Sequence, residues 1–300
     1  MCRSYSFIVI LLMLGTARPT AAGEAAAFAS ISWNPRSIRV GSPCLFKVET
    51  VGPATSLKGK WQGHDLSFFP ASQRHIWYAL AGVDVEAKPG EYSLELDATT
   101  PDGRVLRAAP EVRVQSAAFK TERLKVPERF VQPDPETLKR IEADKELKKR
   151  AFSHEAPAPE WSGTFHSPVN STVSEGFGTR RTFNGKLASI HRGLDYHAKE
   201  GTPVRAANSG TVVLAGDLFY EGNCVIIDHG QKFMTLYMHL SQLQVAEGEK
   251  VNEGQPIGLS GATGRATGPH LHVAVRWQGA YLDPAQLWAL PLPNPTGQEQ

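Results

Sequence analysis

Two short stretches hold the residues best suited to chemistry: His191-Arg-Gly-Leu-Asp195 and, further along, His270-Leu-His272. Six of the chain's ten histidines (His191, His197, His229, His239, His270 and His272) fall between them or within them. An HxxxD followed by an HxH offers what a hydrolytic zinc requires, three imidazole and carboxylate ligands with a fourth position open to water. Residues an even number apart lie on one side of an extended chain. His191 and Asp195 can therefore share a face, with Gly193 able to bend the chain between them, and so can His270 and His272. Two neutral imidazoles and one carboxylate leave a zinc site with net positive charge, which lowers the pKa of bound water and polarises a carbonyl.

Hydrolysis also requires proton handling, and histidine performs it near neutral pH. His270 is one same-face step from His272. His239 ends Thr235-Leu-Tyr-Met-His239, where strict alternation places it on the face of Thr235 and Tyr237. Both are candidates for general base and for stabilising an oxyanion. His197 lies close enough to Asp195 to hydrogen-bond beside the site. His229, in Asp228-His229-Gly230, has turn composition and reads as surface or core. His154 and His166 flank a linker, and His64 and His75 read as structural.

The elements that must position these groups are mostly strands. At 300 residues, with 41% hydrophobic and 21% charged residues, the chain suits two modest cores. Residues 28–116 carry short β-rich runs, among them Ser30–Trp33, Leu45–Glu49, Tyr92–Leu96 and Glu111–Gln115, separated by Gly52-Pro53, Pro89-Gly90 and Pro101-Asp102-Gly103. That rhythm predicts an Ig-like β-sandwich without the immunoglobulin cysteine pair, with Trp61, Phe68, Phe69 and Trp77 as core aromatics. Residues 117–160 read as a linker with a helix at about 134–152. Asp134 is its N-cap and Pro135 its first turn, and Leu138, Ile141 and Leu147 form a narrow apolar stripe. Ala156-Pro-Ala-Pro-Glu160 then breaks regular structure. Residues 161–290 return to glycine-punctuated strands (Gly210–Gly216, Asn223–Gly230, Phe233–His239 and His272–Val275), which predict an antiparallel sheet domain. Residues 291–300 read as a tail, polar from Pro295 to Gln300.

Net charge is +2, so no strong field points to nucleic acid. The local patch of Lys145, Lys148, Lys149 and Arg150 reads as a solvated helix face. Residues 1–22 have the pattern of a cleaved export signal: Arg3, the apolar run Phe7–Leu14, then Thr20-Ala21-Ala22. That run is too short for a stable membrane span. The expected location is outside the cytoplasm, in the periplasm or cell envelope. Such a compartment permits disulfides, but Cys44 and Cys224 fall in different domains and read as buried free thiols, with pairing left open.

Around these residues the chain resembles the M23 family of zinc metallopeptidases, the LytM or lysostaphin type. The resemblance runs from Gly176-Phe-Gly-Thr-Arg180 to Asp283-Pro284, over a third of the chain. It includes His191-x-Gly-x-Asp195, Gly201-Thr-Pro-Val204, Asp228-His-Gly230, Thr235-Leu-Tyr-x-His-Leu240, Val251-x-x-Gly-Gln255 and Gly261-x-Thr-Gly-Arg-x-Thr-Gly-Pro-His-Leu-His272. The resemblance implies an exported endopeptidase with one zinc on His191, Asp195 and His272, and with His239 and His270 as catalytic histidines. Peptidoglycan stem peptides or cross-links would be hydrolysed by attack of zinc-bound water. All five positions match. Arg180 and Arg181 precede the metal loop, where they could bind a substrate carboxylate. The N-terminal half is a possible intramolecular inhibitor. Two other readings compete: a non-catalytic wall regulator that activates another hydrolase, which the complete ligand set opposes, and a sugar phosphotransferase carrier, which the export signal opposes.

Overall fold

The computed structural model describes residues 28–73, 75–124, 132–183 and 187–295. The export-signal expectation for residues 1–22 and the end of the tail, 296–300, lie outside the described residues. No helix among the described residues is long and apolar enough to cross a membrane.

The N-terminal strands are β1 (Phe28–Asn34), β2 (Ile38–Arg39), β3 (Pro43–Thr50), β4 (Ser56–Trp61), β5 (His64–Ser67), β6 (Phe69–Pro70), β7 (Ile76–Gly82), β8 (Gly90–Thr99), β9 (Val105–Ala108) and β10 (Glu111–Gln115). They form two facing sheets, one ordered β1-β3-β7-β6 and the other β2-β10-β8-β4-β5, with β9 beside β8. Alternate residues point inward: Phe46 and Val48 from β3, Leu94 and Leu96 from β8, and Val112 and Val114 from β10 are all buried. Trp61 packs edge-on against Phe46 at 5.2 Å, and its Nε1 donates to the carbonyl of Gly82 at 3.0 Å. That bond satisfies the indole's polar atom while its ring fills the space between the sheets.

The next elements are β11 (Thr121–Leu124), α1 (Pro135–Phe152), β12 (Val173–Glu175), β13 (Arg180–Phe183), β14 (Leu187–Ile190), β15 (Leu194–Tyr196) and β16 (Pro203–Arg205). They are followed by β17 (Gly210–Leu218), β18 (Gly222–Asp228), β19 (Phe233–Leu243), β20 (Lys250–Val251), β21 (Pro256–Ser260), β22 (Leu271–Trp277), β23 (Ala280–Leu282) and α2 (Pro284–Trp288). The main sheet runs β12-β15-β22-β19-β18-β17-β20, with β21 pairing β19 and β16, and β23 pairing β22. Every pairing in it is antiparallel.

The described residues of the 117–160 segment are bonded into the fold. β11 adds a parallel strand to β13, which pairs with β14 just ahead of His191. Asp134 caps α1 by accepting from the Thr137 N–H at 2.8 Å. The helix differs from its apolar reading: Leu138 is 52% and Leu147 36% exposed, whereas Ile141, Asp144 and Ala151 are buried. The reason is a polar contact, because Asp144 accepts from the backbone N–H of Phe219 at 2.7 Å and this turns its face inward. Beyond the helix, Ala156 accepts from Gln231 N at 2.6 Å and Glu160 N donates to His229 O at 2.7 Å, so the proline-rich stretch lies against the sheet.

The sandwich and the C-terminal sheet share one continuous apolar core. Leu282 of β23 is fully buried against Gly82 of β7, where an added methyl group would fall 2.3 Å from it. Trp277 packs edge-on against His64, and Trp161 against Phe69. Polar contacts line this seam: Asp283 N donates to Gly41 O, Tyr281 N to Asp84 Oδ2, and Ser42 Oγ to Gln286 Oε1, all at 2.7 to 2.8 Å. Cys44 and Cys224 are both buried and unbonded. Each fills space as a small apolar side chain.

Candidate metal centre and catalytic groove

β15 and β22 are adjacent, and Asp195 and His272 are direct register partners. Leu194, Tyr196, Leu271 and Val273 turn into the core, so the alternation sends Asp195, His270 and His272 into the groove. His191 comes from the turn between β14 and β15. That turn requires Gly193, because a β-carbon there would lie 2.3 Å from the carbonyl oxygen of Val273 and 2.6 Å from Nε2 of His272.

The three ligand candidates converge. Asp195 Oδ1 lies 2.7 Å from His272 Nδ1 and 3.1 Å from His191 Nε2, and the two nitrogens are 3.0 Å apart. His191 donates its Nδ1 proton to the carbonyl of Gly176 at 2.9 Å. In the neutral ring this leaves Nε2 as a lone pair aimed at a carboxylate oxygen and a second imidazole nitrogen. Two imidazole nitrogens and a carboxylate oxygen within 4.8 Å of one another in a mostly buried pocket can all face one ion, so the donor set fits a metal ion. Two nitrogens and one carboxylate oxygen suit zinc or a neighbouring transition metal. Burial alone would raise the pKa of Asp195, but the hydrogen bonds and charges of His191 and His272 outweigh it and hold the carboxyl well below the usual range. Burial lowers the pKa of His272, against the opposing pull of Asp195.

His239 reaches the groove by a route that alternation does not predict. Between β18 and β19 the register passes from Val225↔Tyr237 to Asn223↔Leu240, so β19 carries one extra residue. There β19 also leaves β22, its last partner pair being Met238↔His272, and takes up β21 at Leu240↔Ser260. His239 sits at this fork with φ +63°, and its N–H donates to Glu221 O at 2.8 Å. The bulge reverses the side-chain alternation. Met238 and His239 both line the groove, while Thr235 and Tyr237 are fully buried on the other side. The expected shared face of His239, Tyr237 and Thr235 is thus corrected.

His239 Nδ1 donates to Thr263 O and His270 Nδ1 to Gly268 O, each at 2.8 Å. Both rings therefore present Nε2 as an acceptor. Their centroids are 4.7 Å apart, and His270 Nε2 lies 3.9 Å from Asp195 Oδ1. Burial, reinforced by the neighbouring imidazoles of His270 and His272, pushes the pKa of His239 down to about 3. It is a neutral base at physiological pH.

The groove encloses about 530 Å³ and is also lined by Tyr220, Glu221, Arg265 and Glu122. His197 lines its exposed rim. Arg181 is not available to a substrate carboxylate, because it is paired with Glu175 and Asp195, whereas Arg180 is exposed. His229 is neither ligand nor turn surface. It is fully buried, donating from Nδ1 to Ser209 O at 2.7 Å and accepting at Nε2 from Thr235 at 2.8 Å. His154 pairs with buried Asp228 at 2.7 Å. Sequence reasoning missed the carbonyls of Gly176, Thr263 and Gly268 that orient the imidazoles. It also missed Glu86, which pairs with Arg192 inside the 191–195 loop from across the seam. A backbone acceptor and a distant acid leave no periodic trace in a chain.

Comparison with known proteins agrees with this geometry. The model for peptidase family M23 matches residues 189–284. A crystal structure from Pseudomonas aeruginosa assigned to peptidase M23 superposes with TM-score 0.63 at 30% identity, over 83% of this chain and 94% of that one. Peptidoglycan DD-endopeptidase ShyA of Vibrio cholerae is 47% identical over 108 residues, 35% of this chain and 25% of its own. DD-carboxypeptidase/endopeptidase Mpg of Neisseria meningitidis is 42% identical over 128 residues, 43% of this chain and 29% of its own. The match thus spans only 25 and 29% of the length of these two curated relatives. The chain belongs to peptidase family M23, a family of metallopeptidases.

Proposed function

We propose that this protein is an exported zinc endopeptidase that hydrolyses peptide bonds in peptidoglycan stem peptides or cross-links. The observation that carries this reading is the convergence of His191 Nε2, Asp195 Oδ1 and His272 Nδ1 beside two imidazoles whose free nitrogens face the same groove. His191, Asp195 and His272 would hold the metal. When bound, zinc supplies Lewis acidity that lowers the pKa of water and polarises the scissile carbonyl.

The remaining chemistry belongs to His239 and His270. Each is fixed in orientation by a backbone carbonyl facing Nδ1, so Nε2 is a proton acceptor held in place before substrate arrives. Hydrolysis needs a proton removed from water and another delivered to the leaving amine. The histidine that takes the first becomes an Nε2–H donor facing the reacting carbonyl, where it can support the oxyanion and then protonate the amine. The low pKa of His239 favours rapid return of that proton.

Relatives named as peptidoglycan DD-endopeptidases support the choice of substrate. A wall substrate places the enzyme in the cell envelope, consistent with the signal-like residues 1–22. For the N-terminal half, the contacts along the seam support a buttressing role beside the expected inhibitory one. Glu122 is the one groove-lining residue contributed by the described residues before α1. The test is digestion of purified peptidoglycan by the zinc-loaded full chain, with products read by mass spectrometry. New free amino termini establish the activity and name the bond. Zinc binding without cleavage would move the assignment to a non-catalytic regulator.

A further inference from the structure

Arg181 lies in the groove but takes no part in the chemistry above. Its Nε donates to Glu175 Oε1 at 2.7 Å, and its Nη2 reaches both Glu175 Oε2 and, at 2.6 Å, Asp195 Oδ2. The side chains of Arg181, Glu175 and Asp195 are only 16, 14 and 10% exposed. The three come from separate strands. Arg181 is on β13, and Glu175 on β12 is the register partner of Asp195 on β15. Glu175 Oε1 also lies 3.6 Å from His191 Nδ1.

The two oxygens of Asp195 therefore have different neighbours. Oδ1 faces the two ligand imidazoles, at 2.7 and 3.1 Å. Oδ2 faces the guanidinium. A guanidinium is a planar fork, and engaging both oxygens of Glu175 fixes its plane, so its remaining Nη2 proton is aimed in one direction. We propose that Arg181, braced by Glu175, is a positioning residue that restricts Asp195 to a single metal-facing oxygen. A carboxylate binding through both oxygens would occupy an additional position at the metal. Arg181 thereby keeps that position for water and substrate. The inference rests on the zinc-peptidase reading, and the same arrangement explains why this arginine is withdrawn from solvent.

The test uses the full chain with cobalt(II) as a spectroscopic stand-in for zinc, comparing wild type with Arg181→Met and Arg181→Lys. Four-coordinate cobalt absorbs strongly in the visible, and the band weakens when coordination number rises. Arg181→Met is expected to lose band intensity and to bind zinc about 10- to 100-fold more weakly. Arg181→Lys keeps the charge without the fork, and is expected to fold and show the same changes in smaller measure. If Arg181→Met does not fold, Arg181→Lys alone decides. A cobalt spectrum and zinc affinity equal to wild type, in whichever of the two variants folds, overturn the inference while leaving the zinc assignment intact. Failure of the wild-type chain to bind either metal instead removes the underlying reading, and the two failures are thereby distinguished.

Discussion

Gly193 and His272 meet so closely that a β-carbon on the glycine would lie 2.6 Å from Nε2 and 2.8 Å from Cε1 of the imidazole. The backbone on the other side cannot yield, because the carbonyl oxygen of Val273 would be 2.3 Å away. Gly193→Ala should therefore displace the His272 ring. The expected outcome is at least a tenfold loss of zinc affinity, on the scale of disturbed ligand orientation, with a near-native circular dichroism spectrum. Competition against a chelator measures it, and wild-type affinity in the variant would show that the loop absorbs the methyl group.

The two kinds of histidine should separate in mutagenesis. His191→Ala and Asp195→Ala are expected to lose both zinc and activity. His270→Ala and His239→Ala should retain zinc and lose on the order of 10²- to 10⁴-fold in turnover, the range for a removed proton-transfer group. Metal analysis and a peptide-release assay on the same preparations check this. Full hydrolysis by the Asp195 variant would contradict the assignment.

Metal removal should also destabilise the fold. Zinc at about a thousand times its dissociation constant contributes roughly 4 kcal/mol through linkage. Chelation leaves the three mutually facing ligand atoms unbridged. The melting temperature of the full chain should fall on chelation and recover with added zinc. An unchanged melting temperature would mean that no metal is held.

A pH effect should come from His229, away from the groove. Burial pushes its pKa from 6.5 down to about 4. Between these values the unfolded state binds the proton and the folded state does not, so stability rises with pH. The contribution is complete above the unfolded value and is lost as pH falls toward the folded one. The loss amounts to about 3 kcal/mol once pH reaches about 4. Urea unfolding near pH 7.5 and near pH 4.5 should show a larger loss for wild type than for His229→Gln. Parallel losses would place the titration elsewhere.

Separation of the two halves should be costly. Residues 161–300 alone would lose β11 and expose Trp277 and Leu282, which are 2% and 0% exposed in the whole chain. Leu282→Ala in the full chain should cost about 2–5 kcal/mol, as expected for a buried leucine. Glu86→Gln leaves Arg192 unpaired and should alter zinc affinity more than overall stability, since that pair is about half exposed. A C-terminal fragment more active than the full chain would establish an inhibitory role for the N-terminal half.

What could be read from the chain itself was what depends on local pattern. Alternation at residues such as Phe46 and Val48 marked the sandwich strands, Asp134 and Pro135 marked the start of a helix, and the motifs named the five residues that converge on the groove. These signals are legible because strand periodicity, capping and close glycine turns are set by neighbours in sequence. The tertiary structure decided everything that depends on which strands lie together. It placed His239 in the groove through a bulge where β19 exchanges β22 for β21, against the face that period-two reading assigns. It turned Asp144 of α1 inward because the Phe219 N–H required an acceptor. It also paired Arg181 with Glu175 and Asp195, and Arg192 with Glu86, across strands and across domains. Register shifts and long-range charge pairs arise from the packing of distant segments, whose separation along the chain carries no periodic signal.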